Sequence, residues 1–214
     1  MMIPIKKSLF GILLILLAGC ASTEPSRFYT LTPMPGSDAK ILSQTESQEV
    51  SIGVGPVRMP DYLDRQPIVT SSSQNKITFS EFDRWAGSLK DDFSRVLSEN
   101  LSILLSTNRV SLFPWRGSMA IDYQIEVEVY QFDGELGGNL SLTARWTIFD
   151  GKDNKVLVMK KTSFTEPAGS PGYEAMVAAQ SRALMHLSRD IAVAIKGISH
   201  DMSKQYEKTD VGSQ

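Results

Sequence analysis

The residues that most often carry chemistry in proteins are scarce in this chain of 214 residues. It has one cysteine, Cys20, and two histidines, His186 and His200. A single thiol cannot close an internal disulfide, and with two distant histidines it does not supply the ligand cluster of a metal site. No G-x-S-x-G motif occurs, and His186 lies within the apolar spacing of a predicted helix, so a Ser-His-Asp triad has no support. We therefore predict no catalytic residues, no metal site and no cofactor.

Two further patterns are compatible with a site, and each has a simpler explanation. Gly53 and Gly55 follow a predicted strand as in a dinucleotide loop, but Pro56 removes an amide donor that a bound phosphate would need. Glu126 and Glu128 share one strand face as paired carboxylates would. Because nothing nearby in the sequence would raise the pKa of either acid, a solvated or subunit-facing strand surface is the favoured interpretation.

The position of Cys20 indicates a covalent anchor. Lys6 and Lys7 precede an apolar stretch that is too short to span a membrane and is typical of a secretory signal. Residues 17–20, Leu-Ala-Gly-Cys, resemble the bacterial lipobox, in which the cysteine is acylated and becomes the new N-terminus. Two or three fatty-acyl chains, palmitate among them, would then hold the chain on a membrane. The alternative is an ordinary signal peptide with an incidental cysteine. Ala21 stands where an aspartate favours the inner membrane, which predicts the periplasmic side of the outer membrane.

Length and charge narrow the class of protein. The predicted leader holds two lysines and no acid, so the mature chain has a slight excess of acidic residues over basic ones. This balance argues against a nucleic-acid partner. The mature length suits one domain. The predicted divisions are a signal peptide at 1–19, lipidated Cys20 with a tether, a short docked strand and a linker at 20–49, a domain at 50–199 and a polar tail at 200–214.

Hydrophobic periodicity predicts two helices. Apolar residues recur at spacings of three and four from Trp85 to Leu104 and again from Tyr173 to Ile198, as on one face of a helix. Asp83 is placed to cap the first helix. Both helices are long and amphipathic, so each has a face that must be covered.

Strict alternation predicts the strands. Residues 121–129 and 140–148 alternate apolar and polar side chains around a glycine-rich turn, and a third segment near 155–164 extends this antiparallel meander. Shorter strands are expected at 28–31, from Val50 to Pro56, at 67–70 and at 76–79. A sheet with one apolar face needs cover on one side only. The predicted fold class is α+β: a single domain of mainly antiparallel sheet with two long amphipathic helices packed on one face.

A loop after the first long strand presents unusual chemistry. The stretch MPDYLDRQPIV places aromatic, apolar and charged side chains on backbone stiffened by two prolines. One interpretation is a partner or subunit contact through Tyr62, Leu63, Asp64 and Arg65. The other is an ordinary loop held by contacts from Arg65 to Asp61 or Asp64.

Several short stretches, in their order and spacing, resemble the ABC-type transport auxiliary lipoproteins. The matching stretches cover most of the mature chain: Cys20, residues 27–31, 53–57, 60–65, 84–86, 114–115, 132–133, 144–146, Tyr173 and residues 177–179.

The resemblance implies a non-enzymatic outer-membrane lipoprotein. Its implied partner is an inner-membrane-anchored protein with mammalian-cell-entry (MCE) domains, on which the lipoprotein docks as a homo-oligomeric ring. Phospholipid is the implied cargo of the system, and maintenance of the envelope is its implied result. Two alternatives stay open: a monomeric lipid carrier facing the periplasm, and a ring lipoprotein of a protein secretion system.

Overall fold

The computed structural model describes residues 24–36, 50–73, 75–115 and 120–211, with side chains described as far as His200. Ten elements follow one another in these segments. In chain order they are β1 (Arg27–Tyr29), β2 (Ile52–Arg58), β3 (Pro67–Ser73), β4 (Lys76–Trp85), α1 (Leu89–Leu105), β5 (Val110–Leu112), β6 (Tyr123–Gly134), β7 (Asn139–Asp150), β8 (Val156–Pro167) and α2 (Tyr173–Val211).

Strands β5, β2, β6, β7 and β8 form a five-stranded sheet in that order. The meander of β6, β7 and β8 is antiparallel throughout, as the alternation of its residues predicted. Strand β2 lies parallel to both of its neighbours, β5 and β6. The long strands therefore come from local hairpins, whereas β2 is inserted by pairing with residues far away in the chain.

A second sheet holds β1, β4 and β3. Strands β3 and β4 form an antiparallel hairpin, and β1 lies parallel to β4. The sequence predicted shorter strands here, at 67–70 and 76–79, and it predicted one sheet instead of two. The hairpin is longer because Ser71 pairs with Ile77 and the strand continues to Trp85.

Both helices pack on one face of the five-stranded sheet, as predicted. Buried side chains from α1, α2 and the alternate positions of β2, β6 and β7 form one continuous apolar core. Phe93 of α1 meets Phe132 of β6 edge to face, with ring centroids 5.5 Å apart. The opposite face of β6 carries Gln124, Glu126 and Glu128, so these polar side chains point away from the helices.

The prediction that Asp83 caps the first helix is wrong. Strand β4 runs through Asp83 to Trp85, and α1 begins at Leu89 with Ser88 as its N-cap, whose hydroxyl accepts from the Asp91 amide. Asp83 is unavailable because its carboxylate is bound by Arg27 and Ser80. The second helix begins at Tyr173 as predicted, but its backbone continues to Val211, into the predicted polar tail. In the described part of the chain, no helix is long and apolar enough to cross a membrane.

Candidate functional site

The N-terminal segment is bound to the body of the protein from Arg27 onward. Arg27 donates to both carboxylate oxygens of Asp83, at 2.7 and 3.0 Å, and the Tyr29 hydroxyl donates to the same group at 2.9 Å. The Ser80 hydroxyl adds a third donor at 3.0 Å. These hydrogen bonds, that from Arg27 above all, hold the pKa of the buried Asp83 below its usual range.

After β1 the segment crosses helix α1. The Leu31 amide donates to Asp92 at 2.6 Å, and Arg95 donates to the Leu31 carbonyl at 2.9 Å. Asp92 and Arg95 also pair with each other at 2.6 Å, so one ion pair holds both main-chain groups of Leu31.

The segment then reaches the seam between the two helices. Its Met34 amide donates at 2.8 Å to Asn100 of α1, which in turn donates to Ser188 of α2 at 3.1 Å. The side chains of Leu31 and Met34 are buried in the core. Residues 27–34 are therefore part of the folded domain and not of the tether.

This docking shortens any spacer between the domain and a lipid anchor. Cys20 lies outside the described residues, and its acylation stays a prediction. Seven residue steps separate Cys20 from Arg27. At a little over 3 Å per residue, they reach at most about 25 Å.

The structure places the four predicted contact residues of the loop in different environments. The Leu63 side chain is 2% exposed and belongs to the core. The half-buried Tyr62 donates a hydrogen bond from its hydroxyl to the buried Asp133 of β6 at 2.8 Å. Burial is the main cause that raises the pKa of Tyr62, and this hydrogen bond raises it further. Asp64 accepts from the Ser88 hydroxyl at 3.0 Å, beside the first turn of α1.

Burial alone would raise the pKa of Asp64, but its bonds from the Lys90 amide and from Ser88 outweigh that effect and lower it. Arg65 is exposed, and its Nε donates at 3.2 Å to the main-chain carbonyl of Asp61. All four residues thus make contacts within the chain, and Arg65 is the one whose side chain is exposed.

The face of the five-stranded sheet that lies opposite the helices carries charged side chains that form ion pairs with one another. Glu126 lies 3.6 Å from Arg58, and Glu128 lies 2.6 Å from Arg145. The Tyr130 hydroxyl donates to Glu128 at 2.9 Å. These hydrogen bonds lower the pKa of Glu128, and the one from Arg145 has the larger effect. A carboxyl whose pKa is lowered in this way is not suited to hold a proton for catalysis, so Glu128 is a paired surface acid.

A groove of about 630 Å³ lies between this face and the β3–β4 hairpin. Its walls are mostly hydroxyl, amide and carboxylate groups, including Ser72, Gln131, Glu135 and Asn139, with Ile77 as an apolar member. Such a lining offers little apolar surface to an acyl chain. Among the residues described, no group of three or more His, Cys, Asp and Glu converges as a metal site requires.

The sequence-based predictions missed the residues that dock the N-terminal segment. One of them could have been found: Asn100 lies on the apolar face of α1, between the core residues Leu97 and Leu101. A buried amide on such a face must have partners, so it indicates a polar contact from elsewhere in the chain. No comparable sequence pattern indicated that Asp83 and Asp92 bind the N-terminal segment.

The chain belongs to the family of ABC-type transport auxiliary lipoprotein components, whose model matches residues 29–192. This confirms the family resemblance and identifies the chain as an auxiliary lipoprotein of a transport system, in a family that is not one of enzymes.

A curated relative is the intermembrane transport lipoprotein PqiC of Escherichia coli (strain K12). It is 27% identical over 143 residues, which cover 67% of this chain and 74% of PqiC. PqiC of Shigella flexneri matches with the same values.

Solved structures share the fold at lower identity. Protein XCC0632 from Xanthomonas campestris has a TM-score of 0.66 at 14% identity, over 83% of this chain and 99% of that one. An uncharacterized protein has a TM-score of 0.65 at 20% identity, over 80% of this chain and 99% of its own.

Proposed function

We propose that this chain is the outer-membrane lipoprotein of an intermembrane lipid transport system. In this proposal Cys20 carries the acyl chains, and the domain docks as a homo-oligomeric ring on an inner-membrane-anchored protein with MCE domains. Phospholipid passes along the assembly and the envelope is maintained. Family membership and the similarity to PqiC, an intermembrane transport lipoprotein, support this proposal.

The docking of residues 27–34 is the observation that carries it. A tether that is folded onto the domain from Arg27 leaves only the short segment that follows Cys20 as spacer. The domain would then be held within about 25 Å of the membrane surface, with its N-terminal side toward the lipid. A component with so short a reach is suited to be the fixed, membrane-proximal end of a bridge, which its partner must meet.

The proposed anchor and leader rest on the lipobox-like residues 17–20, and the contacts of Arg27 support an end of the spacer at residue 26. The leader would end at residue 19, and the spacer would comprise residues 20–26. The docked segment then belongs with the folded domain, which agrees with a family match that begins at residue 29. Residues 37–49 follow the docked segment in the chain and would therefore add nothing to the reach from the membrane.

A ring subunit is favoured over a monomeric lipid carrier by the interior of the domain. Among the described residues, the side chains between sheet and helices pack as one continuous apolar core. The groove beside the β3–β4 hairpin is polar and open. A carrier needs an apolar cavity that encloses most of an acyl chain, and neither feature offers one.

Arg65 is the proposed partner contact within the loop. It is exposed, and the main-chain carbonyl of Asp61 is its partner in the described structure. Tyr62, Leu63 and Asp64 would hold the loop in the shape that presents this guanidinium, which is suited to bidentate recognition of a carboxylate on the partner.

The anchor is tested by labelling cells with an alkyne-bearing palmitate analogue and separating their inner and outer membranes. The wild type should carry the label and fractionate with the outer membrane, and Cys20→Ala should lose both properties. If Cys20→Ala keeps the label, the anchor lies elsewhere.

The bridge is tested by crosslinking in cells, mild-detergent purification and sizing, with mass spectrometry of the captured proteins. Recovery of an MCE-domain protein with a multimer of this chain is the expected result. If the protein is instead recovered as a monomer that carries phospholipid and no MCE-domain protein, the proposed bridge is wrong and the monomeric lipid carrier takes its place.

A further inference from the structure

Two exposed apolar patches lie at opposite edges of the five-stranded sheet. At the β5 edge, Leu112 and Phe113 are 42% and 52% exposed. At the β8 edge, Val156 and Met159 are 47% and 59% exposed. Large apolar side chains that are grouped at a sheet edge are unusual for a surface that faces only water.

The β5 patch is held in a fixed position. Phe113 lies over Gly55, where an added Cβ would come within 2.7 Å of the Phe113 Cβ, and its amide donates to the Val54 carbonyl at 2.9 Å. The Trp115 ring packs edge to face against the Phe113 ring, with centroids 5.3 Å apart. Phe113 is therefore a presented aromatic group and not a side chain on a loose loop.

The β8 edge is long and open. Strand β8 pairs with β7 along one side, and in the described structure its other side faces no strand. Val156 and Met159 lie in its first half, and Lys160 and Lys161 follow them. Lysines at an exposed edge limit how far another strand can extend along it, so the open part of this edge is the apolar half.

The two patches lie at the same level along the sheet. The pairing register connects Leu112 to Val54, Val54 to Ile125, Ile125 to Ile148 and Ile148 to Val158. One row of neighbouring residues thus runs from the β5 patch straight to the middle of the β8 patch.

The two edge strands also point in the same direction. Strand β5 is parallel to β2 and β2 to β6, while two antiparallel steps return β8 to the direction of β6. A second copy can therefore be placed beside the first with its β8 against β5, keeping the chain direction and needing no shift along the strands.

We propose that the β5 edge of one copy receives the β8 edge of the next, so that Leu112 and Phe113 pack against Val156 and Met159 of the neighbouring copy. This inference rests on the proposed function, because it names the interface of the proposed ring. Such a contact joins two different patches, and contacts of this kind produce rings when the rotation closes and filaments when it does not. Because the patches are not offset, the contact adds no shift along the strands from one copy to the next, which is compatible with a closed ring. The aromatic ring and the thioether are chemically matched, since methionine sulfur packs well against aromatic edges.

The test places cysteines at the two edges. Acylated Cys20 contributes no thiol in the mature lipoprotein, so the double variant Phe113→Cys with Met159→Cys has only the two introduced thiols. The full-length lipoprotein is treated in membranes with a short bifunctional thiol reagent and run on a denaturing gel. The expected result is a ladder of covalent multimers from the double variant and none from either single variant.

A matched control replaces one partner by another exposed apolar residue. Ile77 lies on the β3–β4 hairpin and is also exposed, so Phe113→Cys with Ile77→Cys should give no ladder. In addition, Met159→Glu should weaken self-association by at least tenfold in sizing experiments while leaving the thermal unfolding midpoint unchanged, because this side chain is mostly in solvent.

The outcomes separate this inference from the proposed function. Dimers from a single-cysteine variant would show a two-fold contact and overturn the inference. A multimer by sizing without a ladder from the Phe113 and Met159 pair would place the ring interface elsewhere, and the ring would stand. A monomer by sizing would overturn both the interface and the ring, whereas palmitate labelling and partner capture would still report on the anchor and the bridge.

Discussion

Asp83 accepts two hydrogen bonds from Arg27, which lies 56 residues earlier in the chain, and the pair joins the start of the folded segment to the end of β4. Arg27 and Asp83 are also register partners in the parallel pairing of β1 with β4. The carboxylate is buried, whereas half of the arginine side chain remains in solvent. The point at which the tether becomes part of the domain is thus set by one acid and its donors.

Replacing Asp83 with Ala should destabilise the domain. Arg27, Tyr29 and Ser80 would each lose an acceptor, and we expect a fall of about 2–3 kcal/mol in the free energy of unfolding, measured with urea. The control is Glu24→Gln, which removes an exposed partner of the same arginine and should change stability by less than about 0.5 kcal/mol. Equal effects from the two variants would show that the buried position of Asp83 is unimportant.

The contribution of Asp83 should depend on pH. Its pKa is lowered in the folded chain, chiefly by the bond from Arg27, so its stabilising effect is complete above the ordinary carboxyl pKa of about 4 and is lost as pH falls through the lower folded value. The difference in unfolding free energy between the wild type and Asp83→Asn should be constant from about pH 7 to pH 5 and shrink below about pH 4. A difference that grew on acidification would contradict this assignment.

Asn100→Ala should release the end of the docked segment. The buried Met34 amide would lose its acceptor, and we expect a loss of about 1–3 kcal/mol together with faster amide hydrogen exchange near Met34. Ser188→Ala is the control, because it removes the second hydrogen bond of Asn100 and leaves the Met34 bond in place. If exchange near Met34 accelerates equally in both variants, the bond from Met34 to Asn100 does not dock the segment.

Variants at two residues of the loop should differ in their effects on stability and on partner capture. Tyr62→Phe removes the hydrogen bond to buried Asp133, so it should cost about 1–2 kcal/mol of stability and reduce capture of the MCE-domain protein less than a change of Arg65 does. Arg65→Glu is exposed, so it should leave stability within about 0.5 kcal/mol of the wild type and reduce capture. Urea unfolding and crosslinking yields measure the two effects. Unchanged capture in Arg65→Glu would remove the loop from the proposed partner surface.

Gly55→Ala should displace Phe113. Gly55 has a φ of 120°, which side chains other than glycine rarely adopt, and its added Cβ would collide with Phe113. We expect a loss of about 1–3 kcal/mol in unfolding free energy, measured with urea. Gly87→Ala is the control, because an added Cβ there meets nothing within 4 Å, and it should have little effect. A Gly55→Ala variant as stable as the wild type would mean that neither the φ of residue 55 nor its contact with Phe113 constrains the chain.

Much of the fold could be predicted from local patterns. The alternation along β6 and β7 indicated both the strands and the face that each side chain occupies, because a strand with one buried face must repeat every two residues. The apolar spacing of α1 and α2 indicated two helices on one sheet face. The N-cap was misplaced, because Asp83 and Ser88 are both good capping residues and the pairing of β4 with β1 and β3 is what places Asp83 in a strand.

The candidate site was less predictable. Tyr62, Leu63 and Asp64 were predicted to face a partner, and the structure shows that their side chains contact β6, the core and the start of α1. A loop with apolar and charged residues has the same composition whether its side chains face a partner or pack within the domain. The neighbours that distinguish the two cases, such as Asp133, lie about 70 residues away.

Patterns among neighbouring residues were sufficient to predict the amphipathic helices, the meander of β6 to β8 and the scarcity of catalytic groups, and they are the basis of the predicted lipobox at residues 17–20. Only the folded structure shows where β2 lies between β5 and β6, how residues 27–34 cross both helices, and which strands lie at the sheet edges of the described residues. These features join residues that are far apart in the chain, such as Ile52 with Val110 and Tyr123. Parallel pairing and side-chain docking over such separations leave no period in the sequence, because the partner groups are brought together only when the core closes.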